Sequence, residues 1–143
     1  AVIIGKGPLK NKLIHYSKNN GLNNKIKFIN FLSNPYPLIK QADIFILSSA
    51  YEGLPNVLLE ALTLNKFIIS TNCPTGPKEI LLNGKGGLLF KVGDYNELTN
   101  KILYYLNNKK KCEAMLKNAH NQLHRFDYNS NLQKYLNLVN KLI

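Results

Sequence analysis

Short apolar runs rich in β-branched residues recur along this chain, and helix-like stretches separate them. The runs lie at 1–4 (AVII), 26–31, 43–47 (DIFIL), 67–70 (FIIS) and 87–90 (GLLF), with 9–19, 35–41, 55–65 and 77–83 between them. The runs are almost continuously apolar rather than alternating, which is the pattern of strands covered on both faces. Each intervening stretch is long enough to cross back over a sheet. The alternation therefore predicts an α/β fold, a Rossmann-like parallel sheet with helices on both faces.

Beyond Asp94, a predicted N-cap, only helical patterning remains. Leu98, Ile102, Leu103 and Leu106 fall at helical spacing, then Cys112, Met115, Leu116, Ala119 and Leu123. A last helix is expected from about residue 130, with Leu132, Tyr135, Leu136 and Val139 on one face. All three stripes read as core-packing faces. The expected organisation is an α/β core over 1–107 followed by C-terminal helices over 108–143.

With 143 residues, of which 45% are apolar, one domain with a real core is expected. No apolar run approaches the length of a membrane-spanning helix. Cys73 and Cys112 supply neither a disulfide framework nor metal-ligand spacing, so a reducing, cytoplasmic setting is expected. No signal peptide is visible. The sequence opens without Met, directly on a strand-like run, and reads as a piece of something longer.

The formal charge of +11 raises the question of nucleic acid or anionic lipid. Lys accounts for 18 of the 19 basic residues, and Lys and Asn together fill 39 positions. That bias is a compositional drift rather than a reading surface, because base recognition leans on the planar fork of Arg and only Arg125 is present. No nucleic-acid partner is expected, whereas weak attraction to anionic headgroups fits the charge.

In a doubly wound sheet, ligands bind where strands end and loops enter the next helix. That rule selects the loops 5–8, 31–36, 48–56 and 71–78. Gly5-Lys6-Gly7-Pro8 allows close approach to a phosphate or base, and serves equally as a plain turn. The segment from Ser48 to Leu62 carries more. Pro55 suits a first helical position, leaving the N–H groups of Asn56 and Val57 free at a helix end suited to an anion. Gly53 removes the side chain that would obstruct that approach. Glu60 is the one charge on an otherwise apolar helix, so it is either a carboxylate on an exposed strip or one that accepts bonds from vicinal ribose hydroxyls. In the loop 71–78, Gly76 makes a turn, Pro77 starts a helix, and Glu79 is expected to cap it. Cys73 has no neighbouring His to activate it as a nucleophile. Three of only eight acidic residues, Glu52, Glu60 and Glu79, thus sit in or just behind adjacent loops.

The run S-S-A-Y-E-G-L-P-N-V-L-L-E-A-L resembles the E-x7-E signature of family 4 retaining glycosyltransferases, with Glu52 and Glu60 as its two glutamates. The flanking V-I-I-G-K-G-P, A-D-I-F-I-L-S-S, F-I-I-S-T-N-C-P-T-G-P-K-E-I-L and G-G-L-L-F agree in order and spacing. N-P-Y-P-L-I-K and C-P-T-G-P-K-E-I-L look like bacterial members that build surface polysaccharides, lipooligosaccharides or protein-linked glycans. The resemblance implies the C-terminal, donor-binding lobe of a GT-B enzyme, spanning 1–143, with the acceptor lobe absent. It also implies a UDP-hexose or UDP-N-acetylhexosamine donor. Glu60 would hold the ribose. Glu52, with the backbone of Gly53, Leu54, Pro55 and Asn56, would contact the donor sugar and diphosphate, Glu52 as the catalytic residue. Gly5 and Gly7 would lie near the nucleotide, and the stretch from Phe28 would line the base, with Gly76 and Glu79 behind the site.

Family members need neither metal nor cofactor, and this sequence has no Asp-x-Asp. The acceptor implied is a lipid-linked or lipooligosaccharide glycan at the inner face of the plasma membrane. An Arg and a Lys that grip the diphosphate in the family have no match here, Lys6 included. Residues 1–143 alone are therefore expected to be inactive. The alternatives are a nucleotide-sugar epimerase lobe of the same architecture, or a basic non-enzymatic nucleic-acid-binding module. A phosphate-receiver module would need an acidic pair where Gly5-Lys6-Gly7 stands.

Overall fold

A computed structural model describes residues 1–142. It contains two compact units, Ala1–Pro35 and a second one from Tyr36 onward. In the first, β1 (Val2–Ile4) and β2 (Lys27–Ile29) pair in parallel, with Ile3 opposite Phe28, and α1 (Lys10–Asn19) connects them. In the second unit, α2 (Tyr36–Gln41) precedes β3 (Ile44–Leu47), α3 (Asn56–Thr63) and β4 (Phe67–Thr71). A single-turn helix, α4 (Pro77–Ile80), and a 3-10 turn at Leu82–Gly84 lead into β5 (Leu88–Phe90). The three strands form a parallel sheet in the order β3-β4-β5.

Every residue of the central β4 is buried, which accounts for its unbroken apolar run. Its side chains divide by alternation. Ile68 enters a cluster with Leu58, Ala61, Leu62, Ile80 and Leu81, whereas Phe67 and Ile69 join Phe90 and Cys112. The sheet is thus covered on both faces, by α3 and α4 on one side. The opposite cover is α5 (Tyr95–Asn107) and α6 (Lys109–Asn121). Asp94 caps α5 as expected, accepting a 2.8 Å bond from the Glu97 N–H.

Two of the expected helix stripes are corrected. On α5 the packing face is Leu98, Ile102 and Tyr105, at i, i+4 and i+7, while Leu103 and Leu106 face solvent. Tyr105 stacks on Phe67 with ring centroids 5.1 Å apart, and its hydroxyl donates to the Asp43 carbonyl at 3.1 Å. An aromatic ring thereby takes the place given to Leu106. The last helix, α7 (Tyr128–Val139), starts two residues early because Asp127 caps it through the Ser130 N–H. Leu132, Tyr135 and Leu136 on its stripe are exposed rather than packed.

Candidate functional site

The site follows from the register of two neighbouring strands. Leu47 at the end of β3 lies opposite Ser70 near the end of β4, so the loops leaving both strands emerge side by side at their carboxyl edge. Three contacts lace them together. The Thr71 hydroxyl donates to the Ser49 carbonyl at 2.6 Å. The Thr75 hydroxyl donates to the Glu52 carbonyl. Gly76 packs so closely that a Cβ built on it would lie 2.3 Å from both the Gly53 carbonyl oxygen and Pro55 Cδ. Gly76 also sits at φ +88°, a left-handed conformation that glycine adopts without strain. From the other side, the Asn72 N–H donates to the Phe90 carbonyl at 2.7 Å, tying the second loop to β5.

These contacts bring Glu52, Gly53, Leu54, Pro55, Asn56 and Gly76 into one loop cluster. Pro55 is buried, whereas Gly53, Leu54 and Asn56 are exposed and Glu52 is half-buried. Helix α3 begins one residue later than expected, with Pro55 as N-cap at φ −74° and ψ 92°. The Leu58 N–H donates to the Pro55 carbonyl at 2.9 Å and closes the first turn. Among the described residues, the N–H groups of Asn56 and Val57 make no hydrogen bond, nor does that of Gly53. Free N–H groups at a helix start carry partial positive charge and suit an anion.

Glu60 lies one turn into α3. The helix buries Leu58, Ala61 and Leu62, but Val57 is exposed and Leu59 half-buried, so it is not apolar-covered all round. Glu60 occupies the edge of the buried face and is itself half-buried. Helical side chains lean towards the N-terminus, which directs Glu60 over the turn holding Asn56 and Val57. Neither its carboxylate nor that of Glu52 has a hydrogen-bond or ion-pair partner among the described residues.

Glu79 does not cap α4: no side chain caps that helix, and Glu79 is exposed. The reciprocal bond of a capping box needs an extended residue at the N-cap, and Gly76 is left-handed. The Glu79 backbone carbonyl instead accepts from Arg125 Nη2 at 3.1 Å. Cys73 is buried, its thiol directed at the Thr75 carbonyl.

In the first unit, the Gly5 N–H donates to the Ile29 carbonyl at 3.0 Å, extending the β1–β2 ladder by one step at φ +147°. The Gly7 carbonyl accepts from the Lys10 N–H at 3.2 Å, opening α1. Phe28 is half-buried on β2. Lys10 Nζ also donates to Asn30 Oδ1. No group of three or more His, Cys, Asp or Glu that could hold a metal ion occurs among the described residues. No described helix is long and apolar enough to cross a membrane.

The residues that the sequence reading missed are Thr71 and Thr75. Thr71 opens the second loop and Thr75 lies within it, but only the adjacency of β3 and β4 gives their hydroxyls a partner.

The sequence model of the family described as Glycosyl transferases group 1 matches residues 1–122. An uncharacterised glycosyltransferase of Methanocaldococcus jannaschii is 45% identical over 80 residues, covering 56% of this chain and 20% of that protein. The N-acetylgalactosamine-N,N'-diacetylbacillosaminyl-diphospho-undecaprenol 4-alpha-N-acetylgalactosaminyltransferase of Campylobacter jejuni is 29% identical over 126 residues, 88% of this chain and 34% of that one. Anabaena HepE, solved with UDP, superposes with a TM-score of 0.87 at 23% identity, over 99% of this chain and 40% of its own. TarM gives 0.84 at 22%, over 96% and 28%. These likenesses establish the fold as that of GT-B glycosyltransferases. The chain spans well under half the length of each of them.

Proposed function

Because the chain belongs to the glycosyl transferases group 1 family, we propose that it is the C-terminal, donor-binding lobe of a retaining family 4 glycosyltransferase. Its ligand is a nucleotide-sugar, a UDP-hexose or UDP-N-acetylhexosamine. The observation that carries this reading is the laced loop cluster. It leaves free the N–H groups of Gly53, Asn56 and Val57 and, nearby, the carboxylates of Glu52 and Glu60. Donors without partners suit a diphosphate, and acceptors without partners suit hydroxyls. A nucleotide-sugar carries both.

In this reading Glu60 accepts from the two ribose hydroxyls, and Glu52 faces the donor sugar as the catalytic carboxylate. Charge that builds on the departing diphosphate is met by the α3 N-terminus and its free N–H groups. The reaction then needs no metal and no cofactor. The complex of HepE with UDP supports the choice of nucleotide. The Campylobacter relative, named for an undecaprenol-linked substrate, supports a lipid-linked or lipooligosaccharide acceptor. The relatives extend far beyond the matched segment, so acceptor binding is assigned to regions outside residues 1–143. Residues 1–143 by themselves are expected to give no turnover with UDP-sugar and acceptor. A cytoplasmic location fits this chemistry, with weak peripheral attraction to anionic lipid from the charge of +11.

Hydrogen exchange with and without UDP tests the assignment of the loops. Protection should appear at 50–57, at the free N–H groups. Unchanged exchange there under saturating UDP contradicts the reading.

A further inference from the structure

We infer that Thr75 is a positioning residue, one that turns the Glu52–Gly53 peptide so that the Gly53 N–H is presented to the diphosphate of the donor. The inference rests on the donor-binding reading above and adds a residue outside the Glu52–Glu60 segment. The Thr75 hydroxyl reaches across 23 residues of sequence to the Glu52 carbonyl. A trans peptide is planar, with C=O and N–H pointing in opposite directions, and no cis peptide bond occurs among the described residues. Fixing the carbonyl towards the second loop therefore turns the Gly53 N–H away from it. That N–H has no partner among the described residues, and a Cβ built on Gly53 would meet nothing within 4 Å. A donor held in open space, with no side chain to obstruct it, is what close approach of a phosphate requires.

Thr71 makes the equivalent bond to Ser49 but is buried beneath the loops, so its hydroxyl answers first to the core. Thr75 is exposed, and its hydroxyl satisfies no core group. Its backbone is held from behind by Gly76, packed on Pro55, and by the Cys73 thiol on its carbonyl. The hydroxyl therefore acts from a fixed base. Without it, the Glu52–Gly53 peptide is free to rotate, and both the Gly53 N–H and the Glu52 side chain lose their orientation.

The test compares Thr75→Val, which keeps shape and removes the hydroxyl, with Thr75→Ser, which restores it. Each is titrated with UDP and with UMP, which lacks the second phosphate. Loss of one hydrogen bond's worth of orientation predicts that Thr75→Val weakens UDP about three- to tenfold. UMP binding should stay at the wild-type value, and Thr75→Ser should recover UDP binding. Equal binding of UDP by Thr75→Val and wild type overturns the inference, as does equal weakening of UDP and UMP, which marks a merely structural bond. Failure of the wild-type chain to bind UDP at all overturns the donor-binding reading itself.

Discussion

Gly76 and Pro55 meet so closely that no side chain fits between them: a Cβ on Gly76 would lie 2.3 Å from Pro55 Cδ. Residues 21 apart in sequence are thus in contact at the edge where β3 and β4 end. The contact sets the distance between the two loops that carry the proposed donor site. Gly76 is required twice over, for this contact and for its positive φ.

Gly76→Ala should therefore lower stability by about 2–3 kcal/mol, from left-handed strain together with the backbone shift that relieves the clash. Thermal unfolding measures it, with Gly53→Ala as the contrast. A Cβ on Gly53 meets nothing, so that variant should melt like wild type and yet bind UDP more weakly. Equal melting of both variants with wild type would remove the proposed lacing.

Asp127 governs the start of α7. The Ser130 N–H bonded to its carboxylate holds its pKa below the usual value of 3.8, with further bonds from the Ser130 side chain and the Asn129 backbone. A depressed carboxylate stabilises the fold above its unfolded pKa, and that contribution is lost as pH falls through the folded value. The first turn of α7 should loosen in acid below the ordinary carboxylate range. Amide exchange at Ser130 followed against pH reads this directly, and Asp127→Asn should abolish the dependence while keeping an acceptor.

Cys112 behaves in the opposite sense. Burial pushes its thiol above the usual 9.0, and Lys109 only partly offsets this. A raised pKa means that its contribution is whole below the unfolded thiol value and is lost as pH rises through the folded one. Stability should fall on the alkaline side, and less so in Cys112→Ala. Iodoacetamide at pH 8 should leave Cys112 unmodified in the folded chain and modify it in denaturant, as read by mass spectrometry.

The strand and helix order was legible in the sequence because continuous apolar runs such as FIIS have few alternatives to a strand covered on both faces. Glu52 and Glu60 stand out in the sequence because acids are scarce here, and the structure shows both half-buried without a partner among the described residues. Tyr105 in the core and Thr75 on the Glu52 carbonyl were not. Both depend on which elements become neighbours, and a hydroxyl gives no periodic signal before its partner is known. Glu79 was misjudged because Pro after Gly resembles a capped helix start, whereas the left-handed Gly76 rules out the reciprocal bond. The stripe on α7 is periodic for the reason any amphipathic helix is, and periodicity alone does not say what covers it.

The central claim is that Glu60 holds the ribose of a nucleotide-sugar at the start of α3. Calorimetric titration of UDP into wild-type protein and Glu60→Ala tests it most directly. Wild type should bind, and the variant should lose about 1.5–3 kcal/mol of binding free energy, the cost of leaving two hydroxyls without their charged acceptor. Identical affinities for UDP in the two proteins, or no binding by the wild-type chain, would contradict it.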